Sequence, residues 1–132
     1  MPVTYTIDSS RKLIRTKCAG DVTLAEVIDH FRQLVRDPQC PEYLDVLLDL
    51  SEETSLPSTS ELIAVAYEIK RVRQRVRFGM CAVVAQRDAL YGMLRVFEVV
   101  AQDYFGAIHV FRTHREAETW LGLVKPTLNK VC

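Results

Sequence analysis

The sequence predicts an α/β fold, a single domain with a mixed, mostly parallel sheet of about five strands and four helices, in the order β-β-α-β-α-β-α-β-α. Three observations indicate this fold. Short apolar runs alternate with stretches of helical periodicity, which is the pattern of strands joined by helical crossovers. Residues 46–48 are apolar without alternation, as in a strand covered on both faces of a parallel sheet. Three helix-capping boxes mark where helices begin.

The chain is expected to begin with an antiparallel hairpin and one helix. Residues 3–7 and 14–18 alternate apolar and polar side chains, and turn-forming residues lie between the two runs. Thr23 opens the first capping box. The apolar side chains that follow repeat at helical spacing as far as Asp37, which precedes a proline and ends the helix.

The middle of the chain is the stretch around which the other elements are arranged. The apolar run at residues 46–48 leads into Asp49 and a polar loop, and Ser58 opens the second capping box at the end of that loop. Ile63 and Tyr67 fall off the inner face of the following helix, so we expect both to be at least partly exposed. The inner face is predicted to consist of Leu62, Val65, Ala66, Ile69, Val72 and Val76.

The second half of the chain repeats the alternation of strand and helix twice. Residues 80–85 are the next buried strand, and Asp88 is the expected N-cap of a helix over residues 89–105. Residues 107–111 are the last strand, and Thr113 opens the third capping box and the final helix.

We expect one domain over residues 1–125, followed by a C-terminal tail at residues 126–132. The N-terminus lacks the plan of a signal peptide, and no apolar run approaches the ~20 residues of a membrane span, so the sequence predicts a cytoplasmic protein. Seventeen basic and seventeen acidic residues cancel, which leaves no overall field to attract nucleic acid. The basic run at residues 70–77 is explained as a helix end with a favourable dipole.

The histidines and cysteines indicate neither a metal site nor a cofactor. The four cysteines form no CxxC pair, and the three histidines lack metal-ligand spacing. His30 is expected at the helix surface, and His109, which lies mid-strand among apolar neighbours, in the core. No specific set of serine, histidine and acid is found, so the sequence predicts no enzyme. An enzyme that uses Asp49, Asp88 or His114 is the least favoured alternative.

The predicted topology brings three polar segments to one edge of the sheet. Residues 49–60, 86–88 and 113–114 each follow a parallel strand, and the carboxyl ends of such strands are where open α/β sheets bind ligands and partners. Helix N-termini at this edge present free amides that suit a phosphate or a carboxylate. Helix capping by itself explains the same residues.

The order and spacing of several short motifs resemble those of the SpoIIAA-like, STAS- and SEC14-related bacterial proteins. The motifs are GDVTLAE at residues 20–26, DLS at 49–51, HVF at 109–111 and EAETWL at 116–121, and the resemblance covers about residues 3–124. STAS antagonists of anti-sigma factors carry a serine that is phosphorylated at the start of the helix after the central strand. The resemblance therefore implies that Ser58 is the phosphoacceptor, although Pro57 stands where the family pattern has Asp.

The resemblance also implies what kind of function to expect. The favoured hypothesis is a non-catalytic regulatory module that binds a protein partner through Asp49, Ser51, Ser58, Ser60, Ile63 and Tyr67. The alternative is a carrier of lipid or of a small apolar molecule, with a cavity between the sheet and the third helix. Its ligand would be bound by Asp88, Met93, Phe97 and Thr113. Exposed apolar pairs also suit contact with a second copy of the chain, so a homodimer is compatible with the sequence.

Overall fold

The computed structural model describes residues 2–124, so the predicted tail at residues 126–132 lies outside the described residues. The described chain forms five strands and four α-helices in the predicted order. They are β1 (Val3–Asp8), β2 (Leu13–Gly20), α1 (Leu24–Arg36), β3 (Tyr43–Glu53), α2 (Thr59–Val72), β4 (Arg77–Val84), α3 (Asp88–Ala101), β5 (Ala107–Phe111) and α4 (His114–Trp120). A short 3₁₀ turn, Gln102–Tyr104, follows α3.

The five strands form one sheet in the order β1-β2-β3-β4-β5. β1 and β2 pair antiparallel as a hairpin, and β2 to β5 all pair parallel. Because each parallel crossover joins neighbouring strands in the right-handed sense, α1, α2 and α3 lie on one face of the sheet. The predicted α/β fold with a mixed, mostly parallel sheet is confirmed.

The two faces of the sheet have separate cores of unequal size. On the face covered by α1, α2 and α3, which we call the helical face, Leu44 and Leu50 of β3 join the larger core. Leu47, the residue of opposite parity, is 4% exposed and packs with Ala82 and Ala117 beneath α4. We call this second side the α4 face. The prediction that β3 is covered on both faces is confirmed, with only the seven-residue α4 as the helix on the second side.

The three predicted capping boxes are all present. At the start of α2, the Glu61 amide donates to Ser58 Oγ at 3.2 Å, and the Ser58 amide donates back to Glu61 Oε1 at 2.9 Å. Equivalent reciprocal bonds begin α1 at Thr23 and α4 at Thr113. Capping is therefore a sequence-level signal that the tertiary structure retains.

The predicted N-cap of α3 was wrong. Arg87 occupies the cap position without a capping side-chain bond, and Asp88 is the first helical residue. The Asp88 carboxylate instead accepts a hydrogen bond from Arg112 Nη1 at 2.6 Å. An acid in the first helical turn still complements the helix dipole.

Several element boundaries differ from those predicted, and β4 begins at Arg77 and not at Met80. β3 extends to Glu53, because Ala19 and Gly20 of β2 pair with its last residues, so Asp49 and Ser51 lie in the strand and not in the loop. α2 ends at Val72, and Val76 is buried in the connection that follows. α3 ends at Ala101, ahead of its predicted bound.

The predicted environments of two histidines were both wrong. His30 is only 9% exposed, since its side of α1 packs toward β1, where its ring contacts the Tyr5 ring at a centroid distance of 5.2 Å. His109 is exposed, because its parity on β5 directs it to the α4 face. There its ring lies 6.2 Å from that of Trp120.

Candidate functional site

The carboxyl ends of the parallel strands and the starts of the helices meet at one rim of the sheet, as predicted. Contacts across this rim connect segments that are distant in sequence. Arg87 Nη2 donates to the carbonyl of Ser55 at 2.7 Å, and the Val22 amide donates to Ser55 Oγ at 3.0 Å. Arg112 joins the rim through its bonds to Asp88 and to the carbonyl of Gln86. The loop before α2 is thus held between α1 and α3.

Ser58 lies exposed at this rim, at the start of α2. Its hydroxyl accepts from the Glu61 amide and lies 3.1 Å from Ser60 Oγ. The hydroxyl is therefore engaged by the helix cap and still reachable from solvent. The geometry fits the structural role of an N-cap in full.

The outer side of α2 carries apolar side chains with little cover. Tyr67 is 69% exposed and Ile63 is 45% exposed, and they are neighbours one helical turn apart. Leu56, in the loop before the helix, is also exposed. Lys70 Nζ lies 5.8 Å from the centre of the Tyr67 ring, which places a cation beside the aromatic side chain. The predicted exposure of Ile63 and Tyr67 is confirmed.

The structure divides the six residues of the predicted partner surface between two sides of the molecule. Ser58, Ser60, Ile63 and Tyr67 belong to α2 and its cap on the helical face, whereas Asp49 and Ser51 point to the α4 face. The physical reason is the period of a strand: Asp49 shares the parity of Leu47, which packs against α4, and Ser51 donates a hydrogen bond to the Asp49 carboxylate. The six residues therefore do not form one continuous surface.

On the α4 face, the structure brings Asp49 and His114 together. His114 Nε2 lies 3.1 Å from Asp49 Oδ2, and Ser51 Oγ donates to Asp49 Oδ1 at 2.6 Å. Asp49 and His114 line a shallow groove with the Arg15–Glu118 ion pair, whose closest atoms are 3.5 Å apart. The carboxylate thus lies between the serine, which donates a hydrogen bond to one of its oxygens, and the histidine, which lies close to the other.

A cavity of about 380 Å³ lies on the helical face, enclosed by the sheet, α1 and α2. Its walls are mainly apolar and include Val27 of α1 and Val65 of α2. The exposed residues Asp21, Thr23 and Leu56 form its mouth at the rim. No signal in the sequence identifies this space, because helical periodicity indicates the inner side of a helix but not how closely two helices approach.

The ligand residues predicted for a carrier were largely misplaced. Of those four residues only Phe97 lines the cavity, whereas Asp88, Met93 and Thr113 do not. Asp88 and Thr113 are exposed at the rim. The space lies between α1 and α2, and α3 contributes only part of its wall, because β2 and β3 form the sheet beneath the gap.

Several polar groups are buried within the walls of this cavity. Thr16, His30 and Glu53 all line it and are each more than nine-tenths buried. Burial lowers the pKa of His30 to about 4, so its imidazole is neutral near pH 7. Burial also raises the pKa of Glu53, partly offset by the hydrogen bond that Ser55 Oγ donates to its carboxylate at 2.9 Å. Desolvation likewise raises the pKa of the Cys18 thiol to about 12.

Two further properties concern the described residues only. Within residues 2–124, no group of three or more His, Cys, Asp or Glu side chains is arranged to hold a metal ion. No helix in the same part of the chain has the length and apolar character needed to cross a membrane.

Comparisons with known proteins identify the fold. No family model and no curated protein sequence matches the chain. Among solved structures, an anti-sigma factor antagonist from Mycobacterium paratuberculosis superposes with a TM-score of 0.58 and 17% identity, covering 91% of this chain and 94% of that one. An uncharacterized DUF3478 protein with a SpoIIAA-like fold, from Shewanella loihica PV-4, superposes with a TM-score of 0.56 and 15% identity, covering 90% and 91%. The chain therefore has the SpoIIAA-like fold, which confirms the resemblance at the level of architecture.

Proposed function

We propose that this protein is a non-catalytic regulatory module that binds a protein partner through the outer side of α2. The observation that carries the proposal is the exposure of Ile63 and Tyr67 beside the Ser58 cap. Partly exposed aromatic side chains with adjacent apolar neighbours are the residues that contribute most energy when an interface forms. The similarity in fold to an anti-sigma factor antagonist supports a partner-binding role.

The charges around this surface define the partner's chemistry. Lys70 and Arg71 lie in the last turn of α2, beyond Tyr67, and Arg75 and Arg77 follow. A partner that places an apolar side chain against Tyr67 and acidic side chains toward the end of α2 complements this arrangement. The proposed partner is therefore a protein with an apolar patch bordered by acids.

Ser58 is proposed to modulate this contact through phosphorylation. A phosphate on Ser58 would be favoured by the helix N-terminus but would lie beside the Glu61 carboxylate, which bonds the Ser58 amide. The helix dipole and this like charge act in opposite directions, so the added charge is expected to change the surface without unfolding α2. The unmodified and modified forms then differ in charge at the edge of the partner surface.

The non-catalytic assignment is supported by the arrangement on the α4 face. A serine nucleophile needs a histidine within hydrogen-bond reach to take its proton. Here Ser51 donates to one oxygen of Asp49 and His114 lies next to the other, so the carboxylate separates them. We place the protein in the cytoplasm, consistent with the free thiols of Cys18, Cys40 and Cys81.

Affinity capture followed by measurement with the purified partner tests the proposal. Wild-type protein captures partners from cell extract, and each captured partner is then titrated against Tyr67→Ala, Ile63→Ala and Ser58→Asp. We expect Tyr67→Ala to lower the affinity for the specific partner at least roughly tenfold, because truncation of a central aromatic residue removes buried contact area. Ser58→Asp is expected to change the affinity as well.

Val99→Ala is the matched control, since Val99 is as exposed as Tyr67 but lies on α3. The Val99→Ala variant should bind each captured partner with the affinity of the wild type. Partners that bind all four variants with wild-type affinity would refute the proposed surface.

A further inference from the structure

The cavity between α1, α2 and the sheet is large for a protein of this size. Protein interiors are packed to the density of organic crystals, with few voids larger than a water molecule. A volume of about 380 Å³ falls within the range of small-molecule sites, which begins at roughly 300 Å³. The cavity is also open at the rim through Asp21, Thr23 and Leu56, so a molecule has a path to enter.

Within the part of the chain that the structure describes, two buried polar side chains in the cavity walls lack a side-chain hydrogen bond to the protein. Among residues 2–124, neither the Thr16 hydroxyl nor the His30 ring takes part in a side-chain hydrogen bond. For His30 the lowered pKa has burial as its single cause, which agrees with a ring that no acid or amide engages. Buried polar groups are almost always hydrogen-bonded, and a buried group that lacks a protein partner calls for one. Thr16 and His30 thus offer a donor and an acceptor inside an otherwise apolar cavity.

The charges of the cavity select against an anion. Its lining residues include the acids Asp21, Glu53 and Glu61 but neither lysine nor arginine. A carboxylate or phosphate drawn into it would lose its hydration and meet negative charge. Thr16 and His30, the buried groups without a partner, are both neutral, so they match an uncharged polar group of a ligand.

We propose that this cavity binds one molecule of an uncharged, mostly apolar compound that carries a single hydroxyl or carbonyl group. The apolar part of the ligand packs against Val27, Val65 and the neighbouring aliphatic walls. Its polar group bonds Thr16 Oγ1 and the His30 imidazole. This site is distinct from the outer surface of α2 and does not depend on the partner-binding proposal.

Decanol and decanoate are the probes for the test, because they share a chain and differ in the charge of the head group. Binding to the full chain is measured by calorimetry and by thermal unfolding at pH 8. We expect decanol to bind with a stoichiometry of one and to raise the unfolding temperature. Decanoate is expected to bind at least roughly tenfold more weakly, because its charge must be desolvated among acids.

Substitutions locate the binding site. Val27→Phe fills the cavity and should abolish decanol binding, whereas Val99→Phe makes the same exchange on an exposed helical surface and should leave it unchanged. Val65→Phe, on the opposite wall, replaces Val27→Phe if circular dichroism shows that the latter does not fold. Thr16→Val should lower the affinity for decanol several-fold, because it removes one hydrogen bond at nearly constant volume.

The proposal is overturned by any of three results. These are no saturable decanol binding to the wild type, equal affinity for decanol and decanoate, or wild-type affinity in a folded variant with the cavity filled. Retention of protein-partner binding by Val27→Phe would show that the two sites are separate, so failure of one proposal is distinguishable from failure of the other.

Discussion

Burial of His30 makes the stability of this protein depend on pH in a defined direction. The His30 ring lies between the rings of Tyr5 and Phe31, at centroid distances of 5.2 and 5.3 Å, and burial lowers its pKa from 6.5 to about 4. In the unfolded chain the imidazole titrates near 6.5. Because the unfolded state binds the proton more tightly, the contribution of His30 is fully present above pH 6.5 and is lost as pH falls toward 4.

The size of the effect follows from the two pKa values. A difference between 6.5 and about 4 corresponds to about 3 kcal/mol in the free energy of unfolding once pH is below both values. At pH 5 the unfolded imidazole is almost fully charged while the folded one is mostly neutral, and the expected loss relative to pH 8 is about 2 kcal/mol. Such a loss is a large fraction of the stability of a small domain.

Urea denaturation of wild type and His30→Leu at pH 8 and pH 5 measures this contribution. Carboxyl groups with shifted pKa values, such as Asp37 and Glu53, also contribute to the pH dependence, but they are common to both proteins and cancel in the comparison. We expect wild type to lose about 2 kcal/mol more than His30→Leu between the two pH values. Gln33→Leu, an exposed neutral exchange on the same helix, should behave as wild type. Equal losses in wild type and His30→Leu would show that the imidazole is solvated in the folded state, contrary to the packing described above.

Two substitutions test the local structure at the start of α2 and in β4. Ser58→Ala removes the hydrogen-bond acceptor that caps α2 and should lower the free energy of unfolding, measured by urea denaturation, by about 1 kcal/mol. If Ser58→Ala lowered this free energy no more than Ser9→Ala, an exposed serine exchange, the capping role would be contradicted. Gly79→Ala places a Cβ against the Tyr43 hydroxyl, which forces this side chain aside and should lower stability by roughly 1–3 kcal/mol. Unchanged thermal unfolding of Gly79→Ala would contradict that contact, whereas Gly92→Ala, which adds a Cβ that meets nothing in the interior of α3, should raise stability by about 1 kcal/mol.

The local signals of the sequence predicted most of the architecture correctly. The capping boxes at Thr23, Ser58 and Thr113 fixed three helix starts, because these bonds form between residues three apart and need no tertiary partner. The parallel pairing of the later strands followed from the alternation of strands with single helices. Ile63 and Tyr67 were assigned to the outer side of α2 by helical period alone.

Predictions that required knowledge of what covers a surface failed more often. His30 and His109 exchanged environments, since the apolar or polar character of sequence neighbours does not tell which element packs over a side chain. Asp49 and Ser51 were expected in a loop, but the pairing of β3 with β2 extended the strand and turned both residues to the α4 face. A pairing of this kind is a contact between distant segments, so no local pattern encodes it.

The sequence by itself determined the order of elements, the caps of α1, α2 and α4, and most of the residues that share each face, because those properties depend on bonds between residues three apart and on periods of two and 3.6 residues along one segment. Only the tertiary structure decided that α1 and α2 leave a cavity between them, and that Thr16, His30 and Glu53 are buried in its walls. The distance between two packed helices depends on side chains far apart in the chain. That dependence is why the space for a ligand appears only when the elements are assembled.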